Sequence, residues 1–244
     1  MKKHWLILLV LVYLCNALVV NVFGQSVNGC IQLPQSNLKS VLNDSLRKEF
    51  NLQNTNSSVY SYRDTAGQSF LIVSQNIKKV TDEKDTLYDN LRFINIRNSK
   101  KGFVKVWDIV DNIEKTNEIN ESSIWFWTKF AEFTDVDKDN FIDPIVVYGT
   151  LGKNGTDDGR VNIIVFYKGK KIAIKHQNGI IEVDRITQID EGFYKLPTVL
   201  QDQVKSIMKK IASKDLAAFP SNWEDSMKKH KLKLTEKDPG EAVN

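Results

Sequence analysis

Trp5 to Val20 is almost unbroken apolar sequence, preceded by Lys2 and Lys3 and followed by Val22-Phe23-Gly24. A basic head, an apolar run and small or medium residues just before a cleavage point form the pattern of a secretory signal peptide, placed at residues 1–24. The run is shorter than the roughly 20 apolar residues of a spanning helix, and Asn16 and Asn21 interrupt it. The reading is a leader removed on export. The mature chain then starts at Gln25 and has no transmembrane segment.

From Ser36 the period becomes helical. Leu38, Val41, Leu42, Leu46 and Phe50 recur at three- and four-residue spacing, with Ser36 or Asn37 able to cap the start. After the polar loop Asn51–Ser58, strand signals take over. Val59–Tyr62 and Phe70–Val73 flank the turn residues Asp64-Thr65-Ala66-Gly67, and Leu91–Arg97 and Phe103–Val110 flank Asn98–Gly102. The aromatic-rich stretch Ile124–Phe133 feeds an acidic loop, which Pro144–Tyr148 leaves as a strand. Val161–Tyr167 and Lys171–Lys175 make another hairpin, and Asn178-Gly179 signals a tight turn into a strand at Ile180–Val183. Val199, Leu200, Val204, Ile207, Met208 and Ile211 then form a helical stripe suited to packing on a sheet. The predicted class is α+β, mostly β: an antiparallel meander of about eight or nine strands with an N-terminal and a C-terminal helix. One β-rich domain is expected over residues 25–234, with a flexible tail at 235–244.

Charge narrows the function. The 244 residues carry 34 Lys and Arg against 30 Asp and Glu. Without Lys2 and Lys3 the balance is 32 to 30, which gives no electrostatic reason to expect nucleic acid as a partner. Of the two cysteines, Cys15 would leave with the leader, so Cys30 alone cannot form an internal disulfide. Cys30 follows Gly29 with Val27 at the third position before it, so a lipidated N-terminus at Cys30 is an alternative to cleavage at Gly24.

The chemistry concentrates in Asp135-Val136-Asp137-Lys138-Asp139-Asn140-Phe141-Ile142-Asp143. Carboxylates at positions 1, 3, 5 and 9 of a curled loop converge on one point, and a hard cation such as calcium takes six to eight oxygens at loose geometry. The expected ligands to one Ca2+ are Asp135, Asp137, Asp139, the carbonyl of Phe141, and Asp143 directly or through water, with Lys138 facing solvent. An EF-hand has Gly at position 6 and a bidentate Glu at position 12; here these are Asn140 and Val146, and a strand follows. The loop therefore reads as a shortened strand–loop–strand calcium site, for which Asp157 and Asp158 could add oxygens or serve only as turn residues.

The stretch Phe130–Asn140, then Asp143–Tyr148, is similar to a family of exported Gram-negative envelope proteins, some named surface polysaccharide biosynthesis proteins. They pair one T-D-x-D-x-D-G-x-x-E loop with a strand ending in Tyr. This chain departs at Asn140 for Gly and Asp143 for Glu. The resemblance implies no catalytic residues.

His176 and His230 are expected at the surface, and no Ser elbow, Cys/His pair, zinc spacing or phosphate loop appears. Trp125, Phe126 and Trp127 could stack on sugars, although alternate members should face the core. The primary expectation is a non-catalytic, calcium-binding structural or binding protein of the cell envelope, periplasmic, surface-exposed or secreted, whose partner is an envelope polysaccharide or protein. The alternatives are a carbohydrate-active enzyme or accessory module of surface polysaccharide metabolism, and a lipid-anchored partner of an envelope complex.

Overall fold

The computed structural model describes residues 26–27, 29–52, 56–116 and 120–236. The expected leader and most of the expected tail lie outside these residues.

The fold is mostly β, as expected, but the meander is divided between two antiparallel sheets. The first follows chain order: β1 (Ser26–Val27), β2 (Cys30–Gln32), β3 (Asn56–Asp64), β4 (Gly67–Val80), β5 (Thr86–Ser99) and β6 (Gly102–Asn112). The second centres on β9 (Asp143–Leu151) and β10 (Arg160–Tyr167), and continues through β11 (Lys170–Gln177), β12 (Ile186–Ile189) and β13 (Lys233–Thr235). On the far side of β9, β7 (Ser123–Phe126) and β8 (Glu132–Thr134) pair with successive halves of one edge. The short end strands raise the number above the expected meander, to thirteen among the described residues.

Alternation on the strands builds three apolar layers. Leu71, Val73, Leu91 and Phe93 of the first sheet meet Phe126, Val146, Tyr148 and Ile164 of the second, so the sheets face each other. The opposite face of the second sheet, with Ile145, Val147, Ile163 and Ile174, is covered by a long helix, α3 (Thr198–Ala212). That helix buries Leu200, Val204, Ile207, Met208 and Ile211, each removing apolar area worth on the order of 2 kcal/mol. Val199 stands off the stripe and is exposed. The outer face of the first sheet, with Val59, Ile72, Ile94 and Ile96, is covered by α1 (Leu38–Val41) and α2 (Asp44–Glu49). The architecture is thus helix, sheet, sheet, helix.

The expected N-terminal helix is broken. Asn43 adopts an extended conformation and its side chain accepts from the Leu46 amide at 2.9 Å, which starts a second helix. All five apolar residues of the predicted stripe are nonetheless buried. The aromatic run divides as its alternation requires: Phe126 enters the inter-sheet core, while Trp125 and Trp127 lie on the helix side. Gly149 leaves room for the Trp127 ring, since a Cβ there would overlap it. Thr235 pairs with Ile186, so the domain runs past Leu234, and Glu236 accepts from Ser221.

Two expectations fail around Asn178. Ile180, Ile181 and Val183 form no strand; they are 62%, 62% and 63% exposed, and the next strand begins at Ile186. His176 is buried, not surface-exposed, while His230 is exposed and stacked on Tyr194. The reason is shared. The Asn178 side chain is drawn inward, accepting from the Ala218 amide at 2.9 Å and donating to the carbonyls of Thr156 and Leu216. His176 Nε2 then donates to Asn178 Oδ1 at 2.8 Å, and Nδ1 accepts from the Thr187 hydroxyl at 2.9 Å, the tautomer this network requires.

Burial holds the His176 ring at about 4, well below its usual value of 6.5. The unfolded chain takes up the proton first as pH falls, so stability is full above pH 6.5 and drains away toward pH 4. A loss of about 3 kcal/mol is expected over that window. The check is the difference in unfolding free energy between the wild type and His176→Gln, measured from pH 7 to pH 4. The variant lacks this slope, and carboxylate contributions common to both proteins cancel.

Candidate metal centre

The acidic loop joins β8 to β9. Its curl depends on left-handed backbone at Lys138 (φ 61°) and Asn140 (φ 69°), which Asn accepts at little cost and Lys does not favour. Hydrogen bonds to the aspartates draw the curl tight. Asp135 accepts the amides of Asp139 and Asn140 at 3.0 and 2.8 Å, and Asp143 accepts the Val136 amide at 3.0 Å. The residue following Asp143 is Pro144, and beyond it β9 is buried on both faces, which fixes the loop's exit.

Asp135, Asp137 and Asp143 each offer a carboxylate oxygen within 4.8 Å of the others, a spacing at which one ion touches all three. Asp143 is 3% exposed. Burial, with help from Asp137 and Asp139, raises its carboxyl to about 6. Among the described residues no lysine or arginine pairs with these three, so their negative charge is not neutralised there. Each carboxylate oxygen holding one amide keeps a second lone pair for an ion.

The other expected ligands stand differently. Asp139 Oδ1 accepts the Phe141 amide at 3.0 Å, and its Oδ2 pairs with Lys168 at 3.3 Å. The Phe141 ring lies at the exposed tip of the loop. Lys138 is exposed. Asp158 is occupied in its own turn, accepting from Asn154, and neither Asp157 nor Asp158 joins the triad.

Residues distant in sequence complete the setting. Tyr167 at the end of β10 donates to Asp137 at 2.8 Å and orients that carboxylate, as outer-shell groups do at metal sites. The β10–β11 turn carries Lys168 and Gly169 both at positive φ, which projects Lys168 toward Asp139. From the first sheet, the β3–β4 turn reaches across: the Asn140 carbonyl accepts the Thr65 amide at 3.1 Å, and Asp64 accepts the Ile142 amide at 3.2 Å. The loop therefore ties both sheets together at one end of the sandwich. Nothing in the local sequence marks Asp64 beyond its place in a turn, and nothing marks Tyr167 or Lys168.

Beside the loop lies a cleft of about 800 Å³, lined in part by Trp107, Asp108, Phe141, Asp143, Phe166 and Lys171. The Trp107 and Phe166 rings stack at 3.8 Å and 8°. Compared with protein families, curated proteins and solved structures, the chain matches none. No helix of the described residues is long and apolar enough to cross a membrane.

Asp64 holds the Ala66 and Ile142 amides at 2.8 and 3.2 Å, one in each sheet's loop. Asp64→Ala is expected to destabilise the protein by about 2 kcal/mol, as charge-assisted hydrogen bonds do. It should also speed amide hydrogen exchange at Ile142. Unchanged exchange there would show that the two sheets are not coupled through this contact.

Proposed function

We propose that this protein is exported and binds one calcium ion at Asp135–Asp143, where the ion acts as a structural clip for a non-catalytic binding domain of the cell envelope. The observation that carries the reading is the convergence of Asp135, Asp137 and Asp143 with no cationic partner among the described residues, Asp143 being buried among them. An all-oxygen donor set on an irregular loop suits calcium better than a metal that demands strict octahedral geometry. Asp139 and the Phe141 carbonyl complete the proposed donor set, with Asp139 exchanging its lysine for the ion. Contacts from the β3–β4 and β10–β11 turns converge on this loop, so an ion rigidifying it would hold the two sheets together. The leader at residues 1–24 and the likeness of the loop to exported envelope proteins support the same reading.

At a free calcium level ten times Kd, binding adds about 1.4 kcal/mol, which for a domain of this size raises Tm by roughly 3–5 °C. Thermal unfolding in EDTA and in millimolar Ca2+ is expected to show that rise for the wild type and none for Asp137→Ala. Equal Tm values for the wild type in the two buffers would rule out the clip.

A second reading, a carbohydrate-active or accessory module acting on envelope polysaccharide, is favoured by the cleft beside the loop. It combines the carboxylates of Asp108, Asp139 and Asp143 with the rings of Trp107, Phe141 and Phe166, a lining suited to sugar rings.

The lipid-anchored reading is opposed by Cys30 itself. Its side chain is 1% exposed in the inter-sheet core, and burial pushes its thiol up to about 12. A diacylglyceryl group on that sulfur has no room without opening the sandwich. Mass spectrometry of the exported protein is expected to find a start at Gln25 and an unmodified Cys30, and a lipid on Cys30 would establish the anchored form.

A further inference from the structure

The inner face of the second sheet carries a feature that its packing does not explain. Strand register aligns Tyr148 with Asn162, Asn162 with Lys175, and Lys175 with Gln188, so four polar side chains stand in one row across β9, β10, β11 and β12. Neighbouring strands lie about 4.8 Å apart, which makes the row a continuous polar line. The rows on either side differ. Toward the loop end, Val146, Ile164 and Ala173 are apolar core. At the other end Arg160 is consumed by ion pairs to Glu121, Asp111 and Glu114.

All four residues of the row line one cleft of about 530 Å³, whose opposite wall is Ile109, Val110, Asp111 and Glu114. Asn162 is 3% exposed, yet its side-chain nitrogen has no hydrogen-bond partner. A buried donor left unpaired costs about 1–3 kcal/mol. Lys175 and Gln188, at the mouth, make no side-chain hydrogen bond or ion pair among the described residues. Burial and the neighbouring Asp111 carboxylate hold the Tyr148 hydroxyl above the ordinary tyrosine range.

We propose that this row is a binding site for an acidic saccharide, whose carboxylate meets Lys175 while its ring oxygens and hydroxyls bond to Asn162 and Gln188. The chemistry of each wall selects this class. Lys175 is an uncompensated cation within the row, so the ligand brings an anion. Asn162 supplies a buried donor and Gln188 an exposed one at the mouth, neither with a partner among the described residues, so the ligand brings acceptors next to that anion. Asp111 and Glu114 across the cleft accept ligand hydroxyls, while Ile109 and Ile164 cover the apolar face of a ring. The site rests on the strand register and the unpartnered amide. It depends neither on the ion nor on the cleft at the acidic loop.

The test is isothermal titration of the purified protein with D-glucuronate, D-glucose and acetate, in EDTA and in calcium. The expected result is saturable glucuronate binding in both buffers, at least tenfold tighter than either glucose or acetate. Lys175→Met should abolish the preference for glucuronate over glucose. Asn162→Leu removes a side-chain amide whose nitrogen has no partner among the described residues, so it should weaken glucuronate at least tenfold with no fall in Tm. Failure of the wild type to bind millimolar glucuronate would overturn the proposal, as would acetate binding as tightly as glucuronate or undiminished binding by a folded Asn162→Leu. None of these failures would alter the calcium-dependent Tm shift, so the clip and the saccharide site are judged separately.

Discussion

Burial of β9 and β10 on both faces is the constraint from which the architecture follows. Ile145, Val147, Val161, Ile163 and Val165 point one way, and Val146, Tyr148, Ile164 and Phe166 point the other. A strand pair apolar on both sides cannot stay at a surface, so it needs a cover on each face. The amphipathic helix α3 supplies one cover and the first sheet supplies the other. The first sheet is then itself buried on its inner face, and its outer apolar residues call for the small N-terminal helices. Four layers result from satisfying two strands.

The acidic loop owes its place to the same pair. It enters β9 where the chain becomes fully buried, which sinks Asp143 while Asp135 and Asp137 remain half-exposed. The turn following β10 lies nearby because β10 is the partner of β9, and this brings Tyr167 and Lys168 to the loop. The β3–β4 turn arrives through sheet-on-sheet packing. Carboxylates crowded with little local neutralisation are therefore fixed by strands that cannot move apart without exposing core, the condition under which a cation is held by geometry set in advance.

The inter-sheet space changes character along its length. Between the sheet centres it is dry and aromatic, with Phe93 packed against both Phe126 and Tyr148. Toward β11 and β12, polar side chains appear on the face that is elsewhere core. There the Asn162 side-chain nitrogen is buried without a partner, one of four such buried polar atoms among the described residues.

Much was legible in the sequence because it depends on local periodicity. The alternation of β4 through β6, the stripe of α3 and the spacing of Asp135, Asp137 and Asp143 are short-range patterns fixed by backbone geometry, and each maps onto what the structure contains. The break at Asn43 was written in a side chain that suits a helix cap as well as a helix interior flank, and pattern alone did not separate the two. The burial of His176 and the loss of a hairpin at Asn178-Gly179 were decided by Ala218, Thr156 and Leu216, all at least 22 residues away from Asn178. Likewise Asp64, Tyr167 and Lys168 reach the loop, and Tyr148, Asn162, Lys175 and Gln188 align, only because strands pair in one register. The sequence by itself determined the elements and the acidic cluster of one loop, which could hold a metal ion, since both are set within a few residues. Only the tertiary structure decided which distant side chains would share a site, because that depends on strand register and on which face of each sheet is covered.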